Sequence, residues 1–166
     1  KTVFSSMEKV ATSTAKTLAA SFGLAHSTAM ELLGDTGDLL VGFGFTERSA
    51  LELSKNVNEL AIDLASFTNF SGGAEGASLA LTKALLGERE SIKSLGIAIT
   101  EADLKGFATD QGLIWGELDR VAKAQLTYEL ALKQSSKASG DFARTQDQLA
   151  NQERILSERF KELKED

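Results

Sequence analysis

The side chains that most often carry enzyme chemistry are scarce in this chain. It contains no cysteine and a single histidine, His26. Without cysteine there is no thiolate nucleophile and no thiolate metal site. One imidazole cannot build a His-rich zinc centre, and a Ser-His-Asp arrangement would have to use His26. No nucleophile motif accompanies it, so we interpret His26 as a surface or helix-start residue.

Paired carboxylates are the remaining candidates for acid-base chemistry. Glu88 with Glu90, and Glu101 with Asp103, could imitate the two carboxyl groups of a glycosidase, but the separation of such a pair is set by the fold. Acidic side chains beside turns and helix starts usually cap backbone amides or remain solvated. We therefore expect no catalytic residue, no metal and no cofactor.

Glycine pairs and isolated aromatic residues also lack the context of a binding site. Gly42–Gly44 and Gly72–Gly73 do not continue into a phosphate-binding loop, which needs a third glycine or a following Gly-Lys-Ser/Thr. A platform for stacking nucleic-acid bases needs successive exposed rings, whereas Trp115 and Tyr128 stand alone. We predict that the glycines break helices and that both aromatic side chains belong to a core.

Charge and hydropathy narrow the class of partner. The net charge of −6, with no cluster of Lys and Arg, argues against nucleic acid, because binding a polyanion requires concentrated positive charge. No apolar run approaches the roughly 20 residues of a membrane-spanning helix. The run Leu39–Phe45 could touch a membrane if released, but its short length favours a buried helix end. The chain opens at Lys1, and we expect it to be a fragment of a longer protein.

The elements that must position these residues are predicted to be helices, in two parts. All but one of the 14 glycines lie at or before Gly116, and proline is absent. We predict an all-α protein in which residues 1–113 form a Gly-interrupted bundle of short helices. Residues 114–166 are predicted to form a long, amphipathic, coiled-coil-like helix or a helical hairpin, with a possible break near residues 135–141.

Local signals give the expected helix ends in the first part. Apolar residues at spacings of three and four predict a first helix ending at Gly23 and a third that begins after the N-cap Thr46 and reaches Phe67. Thr28 and Glu31 have the spacing of a capping box and predict the start of the second helix. Residues 74–86 are apolar nearly all round, which predicts a buried helix.

Residues 95–112, at the end of the first part, are predicted to form a connector followed by a short helix. Leu95–Ile99 is the one strand-like run and, without a partner of its kind, is expected to be a tight connector. Thr100 with Asp103 then predicts the N-cap of a short helix that Gly112 ends.

A seven-residue ladder marks the second part. Apolar side chains recur at every rung but one, at Ile114, Val121, Tyr128, Ser135, Phe142, Leu149, Leu156 and Leu163. A continuous helix over this stretch would be about 75 Å long, at about 1.5 Å per residue. The row offset by four residues is too polar for a strong two-stranded seam.

The run from Gly140 to Leu163 resembles a known family. Gly140–Thr145 reads Gly-Asp-Phe-Ala-Arg-Thr, Leu149–Gln152 reads Leu-Ala-Asn-Gln, and Arg154 and Leu156 follow. These residues are similar to a run found in the tail tape measure proteins of long-tailed bacteriophages and prophages. The resemblance extends upstream through Leu95–Ile99 and Phe45–Thr46, and covers roughly residues 24 to 163.

The resemblance implies a structural function without an active site. Proteins of this family are mostly helical, occupy the tail tube in the virion and set the length of the tail. It implies as partners other copies of the chain, tail tube and tail-tip proteins and tail assembly chaperones, in the bacterial cytoplasm during assembly. The residues expected to make such contacts are Asp141, Phe142, Arg144, Leu149, Asn151, Gln152, Leu156 and Leu163.

Two functions of other classes remain open at this stage. One is a muralytic tail domain, which would need a convergent acid or metal cluster. The other is a segment around Leu39–Phe45 that acts on the membrane during genome ejection. Direct docking and a purely structural capping role are equally compatible with the polar residues of the run from Gly140.

Overall fold

The structure, a computed structural model, describes residues 7–136, and every regular element in that range is helical. This confirms the all-α prediction. The six α-helices are α1 Glu8–Phe22, α2 His26–Phe43, α3 Glu47–Thr68, α4 Gly73–Leu85, α5 Glu101–Asp110 and α6 Arg120–Gln134. Short 3₁₀ segments, Ser91–Leu95 and Trp115–Glu117, precede α5 and α6.

Most helix boundaries follow from local capping chemistry. Gly23 adopts a left-handed φ of 67° and ends α1, a conformation that costs glycine nothing. The Thr46 hydroxyl accepts a hydrogen bond from the Ser49 amide at 3.2 Å and starts α3. Thr100 and Asp103 form a reciprocal capping box at the start of α5. These three boundaries were predicted correctly.

The connector between α4 and α5 is also as predicted. Leu95 ends a 3₁₀ turn, and Gly96 takes a left-handed φ of 83°. Ile97 and Ile99 follow without regular structure, and each is buried. The apolar character of this run therefore reflects a connector that runs along the core and buries every second side chain in it.

The core lies mainly among α1, α2, α3 and α4, and the inner faces of α5 and α6 complete it. Its largest fully buried apolar side chains are Leu18, Leu33, Leu40, Val57, Leu81, Ile92, Leu95, Ile97 and Leu104. Several neighbours at the contacts are alanine, such as Ala15, Ala61 and Ala77, and each is fully buried. Small residues at these positions let the helix axes approach closely.

The start of one helix and the exposure of one side chain differ from the prediction. The second helix begins at His26 with Ala25 as its N-cap and no side-chain cap, so Thr28 and Glu31 lie inside the helix. Only Leu24 and Ala25 separate Gly23 from α2, so the helix begins before the residues with capping-box spacing. At the end of α3, Phe67 is 52% exposed rather than part of the buried face, because the packed stripe ends one turn earlier at Leu64.

The predicted long helix from Ile114 is wrong in the described part of the chain. Ile114 lies in a loop and is 61% exposed. The Asp119 carboxylate accepts a hydrogen bond from the Ala122 amide at 2.8 Å and starts α6 anew. This helix has 15 residues and ends at Gln134, at the edge of the break predicted near 135–141. The rungs from Phe142 onward lie outside the described residues, and the boundary at 113/114 stays a prediction.

The middle rungs of the ladder face the bundle. Tyr128 and Ser135 are buried, and Val121 packs against the core. Burial raises the pKa of the Tyr128 hydroxyl above its ordinary value, and the nearby carboxylates of Glu59 and Glu129 raise it further. The apolar period in this part of the ladder therefore records packing of α6 on α3, α4 and α5.

Gly106 should be replaceable with a gain in stability. Gly106 lies within α5 and a Cβ built there meets no atom within 4 Å. We expect Gly106→Ala to raise the free energy of unfolding by about 0.5–1 kcal/mol, because alanine loses less backbone entropy in a helix. Urea unfolding followed by circular dichroism measures this. The matched control is Gly96→Ala, which should destabilise the protein since Gly96 has a positive φ; a gain in both variants would contradict the argument.

Candidate functional site

The interaction residues predicted from the sequence lie outside the described residues. This applies to Asp141, Phe142, Arg144, Leu149, Asn151, Gln152, Leu156 and Leu163, whose roles stay predictions. The candidate site within residues 7–136 must therefore be built from other side chains.

The acidic pairs and the histidine lie in an exposed turn or at helix starts, and His26 Nδ1 is buried without a hydrogen-bond partner among the described residues. Glu90 is exposed and forms a 3.0 Å ion pair with Lys93. Glu101 pairs with Lys105 at 3.5 Å, whereas Asp103 belongs to the capping box of α5. His26 is the first residue of α2, as expected. Within residues 7–136 no group of three or more His, Cys, Asp or Glu side chains could hold a metal ion.

A groove with a volume of about 520 Å³ lies between α2 and α4. Its lining residues are Glu31, Leu32, Asp35, Thr36, Leu39, Gly72, Glu75, Gly76, Ser78, Leu79 and Thr82. A site of this size lies within the range of pockets that bind ligands in other proteins. The composition of its floor and rim decides what it could hold.

Helix register places α2 and α4 side by side and roughly parallel. Asn58 on α3 contacts Thr36 on α2, although the two helices join near residues 43–47, so they run antiparallel. Asn58 also contacts Ser78, while α3 and α4 join near residues 68–73, so this pair is antiparallel as well. The N-terminal halves of α2 and α4 therefore lie at the same end of the groove.

The groove floor rests on a closed ring of hydrogen bonds between three helices. The fully buried Asn58 amide donates to Thr36 Oγ1 at 3.2 Å, and Ser78 Oγ donates to Asn58 Oδ1 at 2.6 Å. The hydroxyls of Thr36 and Ser78 lie 3.2 Å apart. Since the Ser78 proton is directed to Asn58, the Thr36 hydroxyl donates to Ser78 and closes the ring.

Further bonds attach this ring to the backbone. The Asn58 amide also donates to the Ser54 carbonyl at 2.7 Å and lies 3.4 Å from the Leu32 carbonyl. A buried polar group that is fully paired strengthens its neighbours, whereas an unpaired one is costly. The ring therefore fixes the register of α2, α3 and α4 more narrowly than apolar packing would.

The rim of the groove divides into an acidic end and an apolar end. Glu31 and Glu75 lie in the N-terminal halves of α2 and α4, Asp35 lies near the middle of α2, and all three are exposed. Leu39 and Leu79 follow on the same helix faces, at 40% and 48% exposure. No Lys or Arg of residues 7–136 lines the groove or forms an ion pair with these carboxylates.

An aromatic side chain packs against two of the glycines that line the groove. The Phe70 ring lies over the glycines at the start of α4, and a Cβ built on Gly72 would stand 2.7 Å from Phe70 Cε2. On Gly76 the same distance would be 3.1 Å. Because these glycines have no Cβ, the Phe70 ring can pack directly on the backbone at the start of α4.

A second surface joins α6 to the end of α2. The Arg120 guanidinium lies 4.2 Å from the centroid of the Phe43 ring, and Lys123 Nζ lies 5.2 Å from that of Trp115. Leu40 and Phe45 are buried and Phe43 is partly buried, whereas Leu39 is 40% exposed, so the run Leu39–Phe45 is packed only in part. Within the described residues no helix is long and apolar enough to span a bilayer.

Sequence reasoning missed the groove, because its lining comes from two helices about 40 residues apart. The apolar character of residues 74–86 predicted complete burial, yet Leu79 is half exposed. The one available signal was a repeat of four residues, Glu31, Asp35 and Leu39 on α2 beside Glu75 and Leu79 on α4. Comparison with known proteins found no matching family model, no similar curated protein and no similar solved structure.

Proposed function

We propose that this chain is a segment of a tail tape measure protein, the virion component that occupies the tail tube and sets tail length. The observation that carries the proposal is the run from Gly140 to Leu163, which resembles that family over Gly140–Thr145 and Leu149–Gln152. The all-α architecture of residues 7–136 is compatible with it. In this proposal the chain has no catalytic function.

The helical bundle makes this part of the proposed ruler compact. A domain of about 130 residues has a radius of gyration of about 14 Å and is roughly 35 Å across. As one continuous helix the same residues would span about 195 Å. The bundle in residues 7–136 is therefore a compact module of a ruler, and length per residue is low in this region.

The proposed partners follow from the same resemblance to tape measure proteins. Other copies of the chain, tail tube and tail-tip proteins and tail assembly chaperones would contact the residues from Asp141 to Leu163. The proposed locations are the tail lumen of the virion and, during assembly, the bacterial cytoplasm.

The direct test is whether the chain is a component of assembled tails. Particles from a strain that encodes it are purified, the tails are separated from the capsids, and each fraction is probed by mass spectrometry. We expect peptides of residues 7–136 in intact tails and their loss from particles that have ejected their genome. A major capsid peptide serves as the control for separation. Peptides confined to the capsid fraction, or absent from all particles, would contradict the proposal.

A further inference from the structure

The groove between α2 and α4 combines two features that packing of this bundle does not require. Leu39 and Leu79 are large apolar side chains of the rim that are left 40% and 48% exposed. Glu31, Asp35 and Glu75 place three exposed carboxylates along the same groove, without a basic partner among residues 7–136. Carboxylates that line one cleft give it a negative potential, which attracts a cationic partner.

We propose that this groove docks a basic amphipathic helix of another protein. Such a helix would place apolar side chains on Leu39 and Leu79 and Lys or Arg side chains beside the three carboxylates. Helix-in-groove recognition lays the apolar face of an amphipathic helix into a groove. Here α2 and α4 form the two walls, Leu39 and Leu79 supply the apolar contacts, and the floor is polar. The ring of Thr36, Asn58 and Ser78 holds those walls at fixed register, so the groove is formed before the partner arrives.

Charge complementarity argues against a second copy of this chain as the occupant. The chain carries a net charge of −6. A symmetric dimer through this groove would bring two sets of Glu31, Asp35 and Glu75 together, because a two-fold interface pairs the same patch from both subunits. A basic helix instead turns the carboxylates into attractive contacts and steers the encounter.

The test uses the full 166-residue chain and a synthetic probe. The probe is a fluorescent helical peptide of about 18 residues, long enough to form a helix, with Leu at helical spacing and Lys elsewhere. Fluorescence anisotropy measures its dissociation constant at low and high salt. A peptide of the same pattern with Glu in place of Lys is the control for apolar stickiness. We expect the Lys peptide to bind at least tenfold more tightly than the Glu peptide.

Two groove variants separate the apolar and the charged contributions. Leu39→Ser with Leu79→Ser should weaken binding about tenfold or more, since each side chain loses apolar area that the peptide would cover. Neutralising the acidic end should weaken binding about tenfold at low salt and remove most of its salt dependence. The charge variant carries Glu31→Gln, Asp35→Asn and Glu75→Gln.

A matched control changes the same charge elsewhere. It carries Glu88→Gln, Asp110→Asn and Glu117→Gln, all exposed and outside the groove, and should alter binding by less than about twofold. Equal weakening in the two charge variants, or no binding of the Lys peptide to the unaltered chain, would overturn the proposal. Loss of a dimer in sedimentation on Leu39→Ser with Leu79→Ser would also overturn it and would identify a second copy as the occupant.

Discussion

Asn58→Ala is expected to lower the free energy of unfolding by about 2–4 kcal/mol. The change removes a fully buried amide that bonds to side chains of α2 and α4 and to the backbone. It leaves the Ser78 hydroxyl without its closest acceptor and opens a cavity between three helices. Unsatisfied buried groups cost about 1–3 kcal/mol, and the cavity adds to that cost. Urea unfolding with circular dichroism gives the value from the midpoint and slope.

The chain offers a matched control for this change on the same helix. Asn56 lies two residues away, is only partly buried and takes no part in the ring. Asn56→Ala should change stability by less than about 0.5 kcal/mol. If Asn58→Ala were as mild as Asn56→Ala, the hydrogen-bonded ring would not hold the three helices.

A charged isostere gives a pH-dependent version of the same test. Asn58→Asp places a carboxyl where burial favours its neutral form, so its pKa in the folded state lies above the unfolded value of about 3.9. Stability is then greatest below the unfolded pKa and falls as pH rises through the folded pKa. We expect the variant to be less stable at neutral pH than in mild acid relative to the unaltered chain. A pH-independent difference would contradict the burial argument.

Local chemistry explains which parts of the fold could be predicted. Thr46 and the pair Thr100 and Asp103 were found because a cap forms between residues three apart in sequence. Gly23 was found because a left-handed residue ends a helix wherever it occurs. The periodic face of α3, from Ala50 to Leu64, is likewise a property of one helix.

The errors arose where tertiary contacts outweigh local pattern. The heptad spacing of Ile114, Val121 and Tyr128 suggested one helix, but Asp119 caps a new helix between the first two. Only Val121 and Tyr128 share a helix face, and that face packs on the bundle. A seven-residue repeat cannot by itself distinguish a free coiled-coil stripe from a buried helix face.

The candidate site could not be predicted from the sequence for a related reason. Asn58 looked like one polar residue on an apolar helix, since its partners Thr36 and Ser78 lie about 20 residues away on either side. The exposure of Leu79 depends on how closely α2 approaches α4, which the spacing of apolar residues does not encode. Charge added little, because residues 1–113 hold 14 acidic and nine basic residues and only three of the acidic ones line the groove.

The measurement that tests the proposed function most directly is tail length in virions whose parent gene carries extra copies of residues 7–136. Each in-frame copy adds one compact bundle, so electron micrographs should show tails longer by about 35 Å per copy. Matched insertions of a flexible Gly/Ser linker of equal residue number provide the control, because a linker has no fixed length. Intact tails of unchanged length would contradict a ruler role for this segment. An increase near 195 Å per copy would contradict the compact bundle, since that is the length of the same residues as one continuous helix.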